Sequence, residues 1–132
     1  MHDLSLVESV AVDDPRAWVY VIHYARPLAH ARHYYGMAHT GALLHARIRK
    51  HATGHRESAH IMRAIHREGI DWEVVALYPH DTVAEACEHE RRLKKLKGGW
   101  ACPLCRERLR TQAKERMRAL RQKRNEGRTK KS

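Results

Sequence analysis

The sequence predicts an α/β (α+β) domain with the element order β-β-α-α-β-α and a basic helix appended at the C-terminal end. Three observations predict it. Two short runs, Trp18–Tyr24 and His33–Ala38, set four of the five tyrosines among β-branched and aromatic neighbours. A third run of β-formers, WEVVALY from Trp72 to Tyr78, follows two segments whose apolar residues recur at helical spacing. After the double glycine Gly98-Gly99 the chain turns strongly cationic and keeps only a thin apolar stripe.

In chain order, residues 1–16 read as an acidic leader ending at Asp13-Asp14-Pro15, with little to fix them. In the first strand, Val19 and Val21 alternate with Tyr20, Ile22 and Tyr24, which gives it two different faces. Arg26-Pro27 should break this strand and open a polar connection. The second strand carries Tyr34 and Tyr35 ahead of Gly36, where a missing Cβ would let another group come close.

Ala42–Ala52 reads as a helix stopped at Gly54. Leu44, Ile48 and Ala52 form its inward stripe, with Leu43 at the flank; Arg49 and Lys50 point outward. Arg47 and His51 fall on the semi-buried side, where they need partners or a stem packed flat with its head in water. Ser58–Glu68 is a second helix, with Ile61, Ala64 and Ile65 inward and Gly69 as its stop. The third strand should end at Pro79. Asp81 or Thr82 then caps a third helix running to about Lys97. On that helix Val83, Ala86, Cys87 and Leu93 define the apolar side, and Glu90 falls near its centre. A carboxylate there calls for a metal ion or a cation, and Lys94 one turn later could supply the latter.

The last segment opens with the CPLC element, Cys102 to Cys105. A CxxC pair is half a zinc site, and Cys87, His80 or His89 could complete it; otherwise the pair is an apolar anchor or redox-sensitive. The polar helix that follows repeats Leu104, Leu109, Ala113, Met117 and Leu120. That stripe could pack on the body, pair with a second copy as a homodimer, or order only on nucleic acid. Asn125–Ser132 reads as disordered.

At 132 residues the chain suits one domain, here 17–99, with a leader (1–16) and a CPLC element and basic tail (100–132). No apolar run approaches the ~20 residues that span a bilayer, and no signal peptide is visible, so no membrane is expected and the cytoplasm is the expected location. Three cysteines then read as thiols or metal ligands. The net charge of +11 is uneven: residues 104–132 carry 12 Lys/Arg against 3 Asp/Glu. Such a segment suits a polyanion, because each neutralised phosphate releases counterions, although a solvated helix face has the same composition.

These residues resemble the GIY-YIG nucleases over roughly 17–98. Trp18-Val19-Tyr20 stands where the first name motif falls and keeps its tyrosine. Tyr34-Tyr35-Gly36 stands at the second and keeps the tyrosine and the glycine. Arg47, His51 four residues on and Gly54 match the family's helical signature, and Glu90 with Lys94 matches its last one. The run from Arg26 to Gly36, of the form RPxxHARHYxG, together with the CPLC element is similar to short single-domain bacterial members. The departures are Trp-Val in place of Gly-Ile, a longer link between the motif tyrosines, and His39 after the second motif.

The resemblance implies a small three-stranded antiparallel sheet flanked by helices and a metal-dependent endonuclease acting on DNA, with structure-specific cleavage one option. It implies Glu90 as ligand to Mg²⁺ (or Mn²⁺), Arg47 on the phosphate oxygens and Tyr20 as general base. Tyr34 and His51 would orient water or phosphate, with His51 the second candidate base. Gly36, His39 and Lys94 would lie against substrate, and Zn²⁺ could sit at Cys102 and Cys105. DNA is the favoured partner over RNA. The alternatives are an RNase using the same groups and a non-catalytic nucleic-acid adaptor.

Overall fold

The computed structural model describes residues 2–96 and 99–129. A three-stranded antiparallel sheet forms the centre, in the order β2-β1-β3. Its strands are β1 (Ala17–Leu28), β2 (Ala31–Ala38) and β3 (Trp72–His80). The helices are α1 (Ser5–Glu8), α2 (Gly41–Thr53), α3 (His60–Arg67), α4 (Val83–Lys95) and α5 (Pro103–Thr129). The fold class and element order agree with the sequence reading, with a short α1 added in front.

The central position of β1 explains its composition. Val19, Tyr20, Val21 and Ile22 are all completely buried, because helices cover both faces of the sheet. On one face Trp18, Tyr20, Ile22 and Tyr24 pack with Leu44 and Ile48 of α2, Met62 and Ile65 of α3, and Val7 and Val10. On the other, Val19 and Val21 meet Ala86 and Leu93 of α4 and then Ala101, Cys102 and Cys105. A register shift between Val21 and Ile22 moves β3 from Ala76 on one face to Val74 on the other.

Several expectations are corrected. The leader is fastened: Asp3 bridges to Glu73, Val7 and Val10 enter the core, and Asp14 O accepts from Gly41 N. The two valines are what the acidic composition hid. The connection at Arg26-Pro27 is not a loop; β1 continues to Leu28 and turns through Ala29-His30, with Ala29 at φ +53°. Pairing is irregular between His23 and Leu28, so Pro27 sits where the ladder is already interrupted. Pro79 likewise lies inside β3, opposite Trp18, on an edge strand that tolerates a missing N–H.

In α2, Leu43 is exposed rather than flanking the core. The second helix begins at His60, two residues late, and buries Met62 with Ile65, while Ile61 and Ala64 are only half-buried. Thr82, not Asp81, caps α4 by accepting from the Glu85 N–H at 3.2 Å. Val83 of α4 is exposed, and only Ala86 and Leu93 of that helix are buried. α4 ends at Lys95, with Leu96 already extended, short of the expected Lys97. α5 is helical to Thr129, so 125–129 are ordered, while residues 130–132 lie outside the description. Every residue from Arg110 to Gly127 is exposed, so the arm does not pack on the body.

Candidate functional site

Tyr20 is carried by the middle strand directly opposite Gly36. A Cβ built on Gly36 would lie 2.2 Å from Cζ of Tyr20. The space expected at Gly36 for a substrate group is therefore taken by the phenol ring. The Tyr20 hydroxyl reaches Nε2 of His51 at 2.9 Å, and Nδ1 of His51 meets the Ser58 hydroxyl at 2.6 Å. A phenol is a stronger acid than an alcohol, so the better-matched pairing has Tyr20 donating to Nε2 and Nδ1–H donating to Ser58. His51 is itself buried. Tyr34 closes this cluster, its ring edge-on to His51 with centroids 5.3 Å apart.

Arg47 lies one turn before His51 on α2 and donates from Nη1 to the Met37 carbonyl at 2.6 Å. Tyr20, Tyr34, Arg47, His51 and Ser58 line one cleft of about 430 Å³ with Lys50, Glu57 and Ala59. Lys50 points outward as expected and pairs there with Glu57 at the rim of the cleft. Glu90, His39 and Lys94 are not lining residues of this cleft. His39 is exposed between β2 and α2. Glu90 is half-buried and ion-paired with Lys94 at 2.6 Å, the cation that the helix spacing offered.

The electrostatics nevertheless join α4 to the cluster. Burial raises the Tyr20 phenol; Tyr34 and Glu90 add to that rise, and Arg47 opposes it by charge and hydrogen bonding. Tyr34 is also raised by burial, and it feels Lys94, Glu90 and Arg47 together. Burial, then Arg47, lowers His51 to about 4, so the imidazole is neutral at neutral pH and its bare Nε2 can accept the Tyr20 hydrogen bond. Glu90 carries a hard carboxylate oxygen, the donor type that Mg²⁺ takes, and here that carboxylate is held by Lys94.

Ser58 was missed because it read as the first residue of a helix, and nothing in the sequence marks it as the partner of His51.

A second cluster lies on the opposite face of the sheet. His23 and His33 face each other across the hairpin and meet Cys102 and Cys105 from the start of α5. The four ligand atoms all lie within 4.8 Å of one another, a group able to hold a metal ion. The histidines expected to complete the CPLC element do not: Nε2 of His80 is 2.8 Å from Nδ1 of His89, and Cys87 stands apart from this group. Sequence proximity favoured His80 and His89, whereas strand pairing selects His23 and His33. The signal that could have found them is the hairpin register, which sets these two histidines opposite each other. Burial lowers both, His33 to about 4, which leaves neutral imidazoles, and burial raises the Cys102 thiol.

Comparison with family models, with curated proteins and with solved structures gave no match to this chain. Among the described residues, no helix is long and apolar enough to cross a membrane.

Proposed function

We propose that the protein is a metal-dependent endonuclease that hydrolyses phosphodiester bonds, with DNA as the favoured substrate. The observation that carries this reading is the line Tyr20–His51–Ser58 in one cleft with Arg47, in the field of Glu90. The resemblance to GIY-YIG nucleases rests on the same residues.

In this reading Arg47 binds the non-bridging phosphate oxygens, a planar charge that suits the developing trigonal-bipyramidal geometry. Tyr20 Oη takes a proton from the attacking water while passing its own to His51 Nε2. This relay suits a phenol whose free phenolate is strongly disfavoured by burial. The water oxygen bonds to phosphorus, the bond to the sugar oxygen breaks, and solvent protonates that oxygen. Phosphate arriving at Arg47 adds negative charge that offsets the smaller, Arg47 part of the depression of His51, whose larger cause is burial. Ser58 holds the tautomer, and Tyr34 orients water or phosphate. Glu90 would hold Mg²⁺ or Mn²⁺, and a bound cation supplies charge neutralisation at the phosphate. Zinc at the CPLC element has no part in this step. The basic arm adds affinity for the backbone without choosing sequence.

The Glu90–Lys94 pair favours one second reading, a nucleic-acid adaptor without catalysis, because a paired acid needs no metal. Plasmid, branched DNA and structured RNA, each incubated with Mg²⁺, Mn²⁺ or chelator, separate the readings. Cleavage abolished by chelator and by Arg47→Ala or Glu90→Ala is expected. Binding without cleavage under all conditions favours the adaptor, and RNA-only cleavage assigns an RNase.

A further inference from the structure

The first strand, the second strand and the root of the arm each send soft or borderline donors to one point. Nδ1 of His23 lies 3.2 Å from Nε2 of His33, and 3.6 Å from Sγ of both Cys102 and Cys105. Nε2 of His33 lies 3.2 Å from Sγ of Cys105. One imidazole nitrogen can serve one hydrogen bond in its plane, yet Nδ1 of His23 faces three partners at once. Hydrogen bonding does not account for that convergence; a shared ion does.

Four of the spacings suit zinc. Zinc bonds of about 2.3 Å to sulfur and about 2.05 Å to nitrogen, opened to the tetrahedral angle, place N···N at about 3.3 Å and N···S at about 3.6 Å. Four of the six edges are 3.2 Å for N···N, and 3.2, 3.6 and 3.6 Å for N···S, and the other two lie within 4.8 Å. Both cysteines are buried and are free thiols, and both histidines are half-buried. Two thiolates balance the charge of one Zn²⁺, so the bound group buries no net charge. Four protein ligands leave no open position, which is the structural rather than the catalytic type of zinc site.

The backbone is shaped for this closure. Gly99 adopts φ +86°, and a Cβ there would fall 2.9 Å from Cβ of Cys105. That residue lets the chain fold tightly over the cysteine before α5 begins. Pro103 then opens α5, and Cys102 and Cys105 straddle its first turn.

We propose that His23, His33, Cys102 and Cys105 bind one zinc ion, which clamps the root of the basic arm to the β1–β2 hairpin. This holds whether or not the opposite cleft cuts nucleic acid.

The test uses the full untagged chain purified under reducing conditions. Elemental analysis is expected to give one zinc per chain. Replacement by Co²⁺ is expected to give intense visible bands of a tetrahedral site and thiolate-to-cobalt charge transfer. Stripping the metal with a strong chelator should lower Tm on the order of 10 °C, restored by Zn²⁺. Cys105→Ser and His33→Ala should lose stoichiometric zinc, whereas Cys87→Ser, His89→Ala and Glu90→Ala should keep it. Folded, metal-free wild-type protein that binds no added Zn²⁺ overturns the proposal. So does a native Cys102–Cys105 disulfide, an octahedral cobalt spectrum, or full zinc in both ligand variants. If the variants do not fold, wild-type stoichiometry and the cobalt spectrum decide.

Discussion

Tyr20 and Gly36 form a cross-strand pair in which the ring of one occupies the Cβ position of the other. A methyl group at 36 would stand 2.2 Å from Cζ and 2.3 Å from Oη, distances no packing adjustment absorbs in place. Gly36→Ala should therefore displace the phenol and cost about 1–3 kcal/mol by urea denaturation. Tyr20→Leu in that background should recover part of the loss, giving a non-additive cycle. Strict additivity of the two changes would show that they do not share the space.

Ser58 should matter more than an ordinary loop serine. Its hydroxyl meets His51 Nδ1 in a buried setting, and Ser58→Ala leaves that nitrogen unpaired. A loss of about 1–3 kcal/mol is expected. In an active preparation, kcat should fall while KM changes little, because the serine fixes an imidazole and does not touch substrate.

His51 sets a pH dependence with a definite sign. Its ordinary value of 6.5 is lowered to about 4 in the fold. As pH drops from 6.5 toward 4, the unfolded chain takes up a proton that the folded imidazole refuses, so stability falls across that window. The contribution reaches up to about 3 kcal/mol. His51→Gln should be less stable at neutral pH but flatter between those values. An unchanged slope in denaturation midpoints would refute this assignment.

Removing residues 110–132 should leave the thermal transition of the body nearly unchanged, since Arg110 to Gly127 are all exposed. Affinity for duplex DNA should drop, and the dependence of log K on log salt should become shallower as phosphate contacts are lost. Titrations at several salt concentrations measure both.

The body of the fold was legible because β1 alternates between two apolar faces and α2 and α3 stop at Gly54 and Gly69. Gly54, at φ +67°, closes α2 as its position suggested. What misled was local reading of breakers: Pro27 and Pro79 both lie within strands, one at a ladder irregularity and one on a sheet edge. Of the candidate cleft, Tyr20, Tyr34, Arg47 and His51 were singled out by the resemblance to a known family, but Ser58 was not. Its role depends on how α3 is set back from α2, which is a tertiary fact. The metal-ligand group failed in the same way, since 72 residues separate His33 from Cys105.

At 1.5 Å per residue, the 27 residues of α5 make a rod about 40 Å long, gripped only at its first turns. Such geometry is a lever. A tilt of about 10° at the base swings the far end by about 7 Å, roughly the rise of two base pairs. The orientation of the chain at Cys102 and Cys105 thus fixes where Arg124 stands.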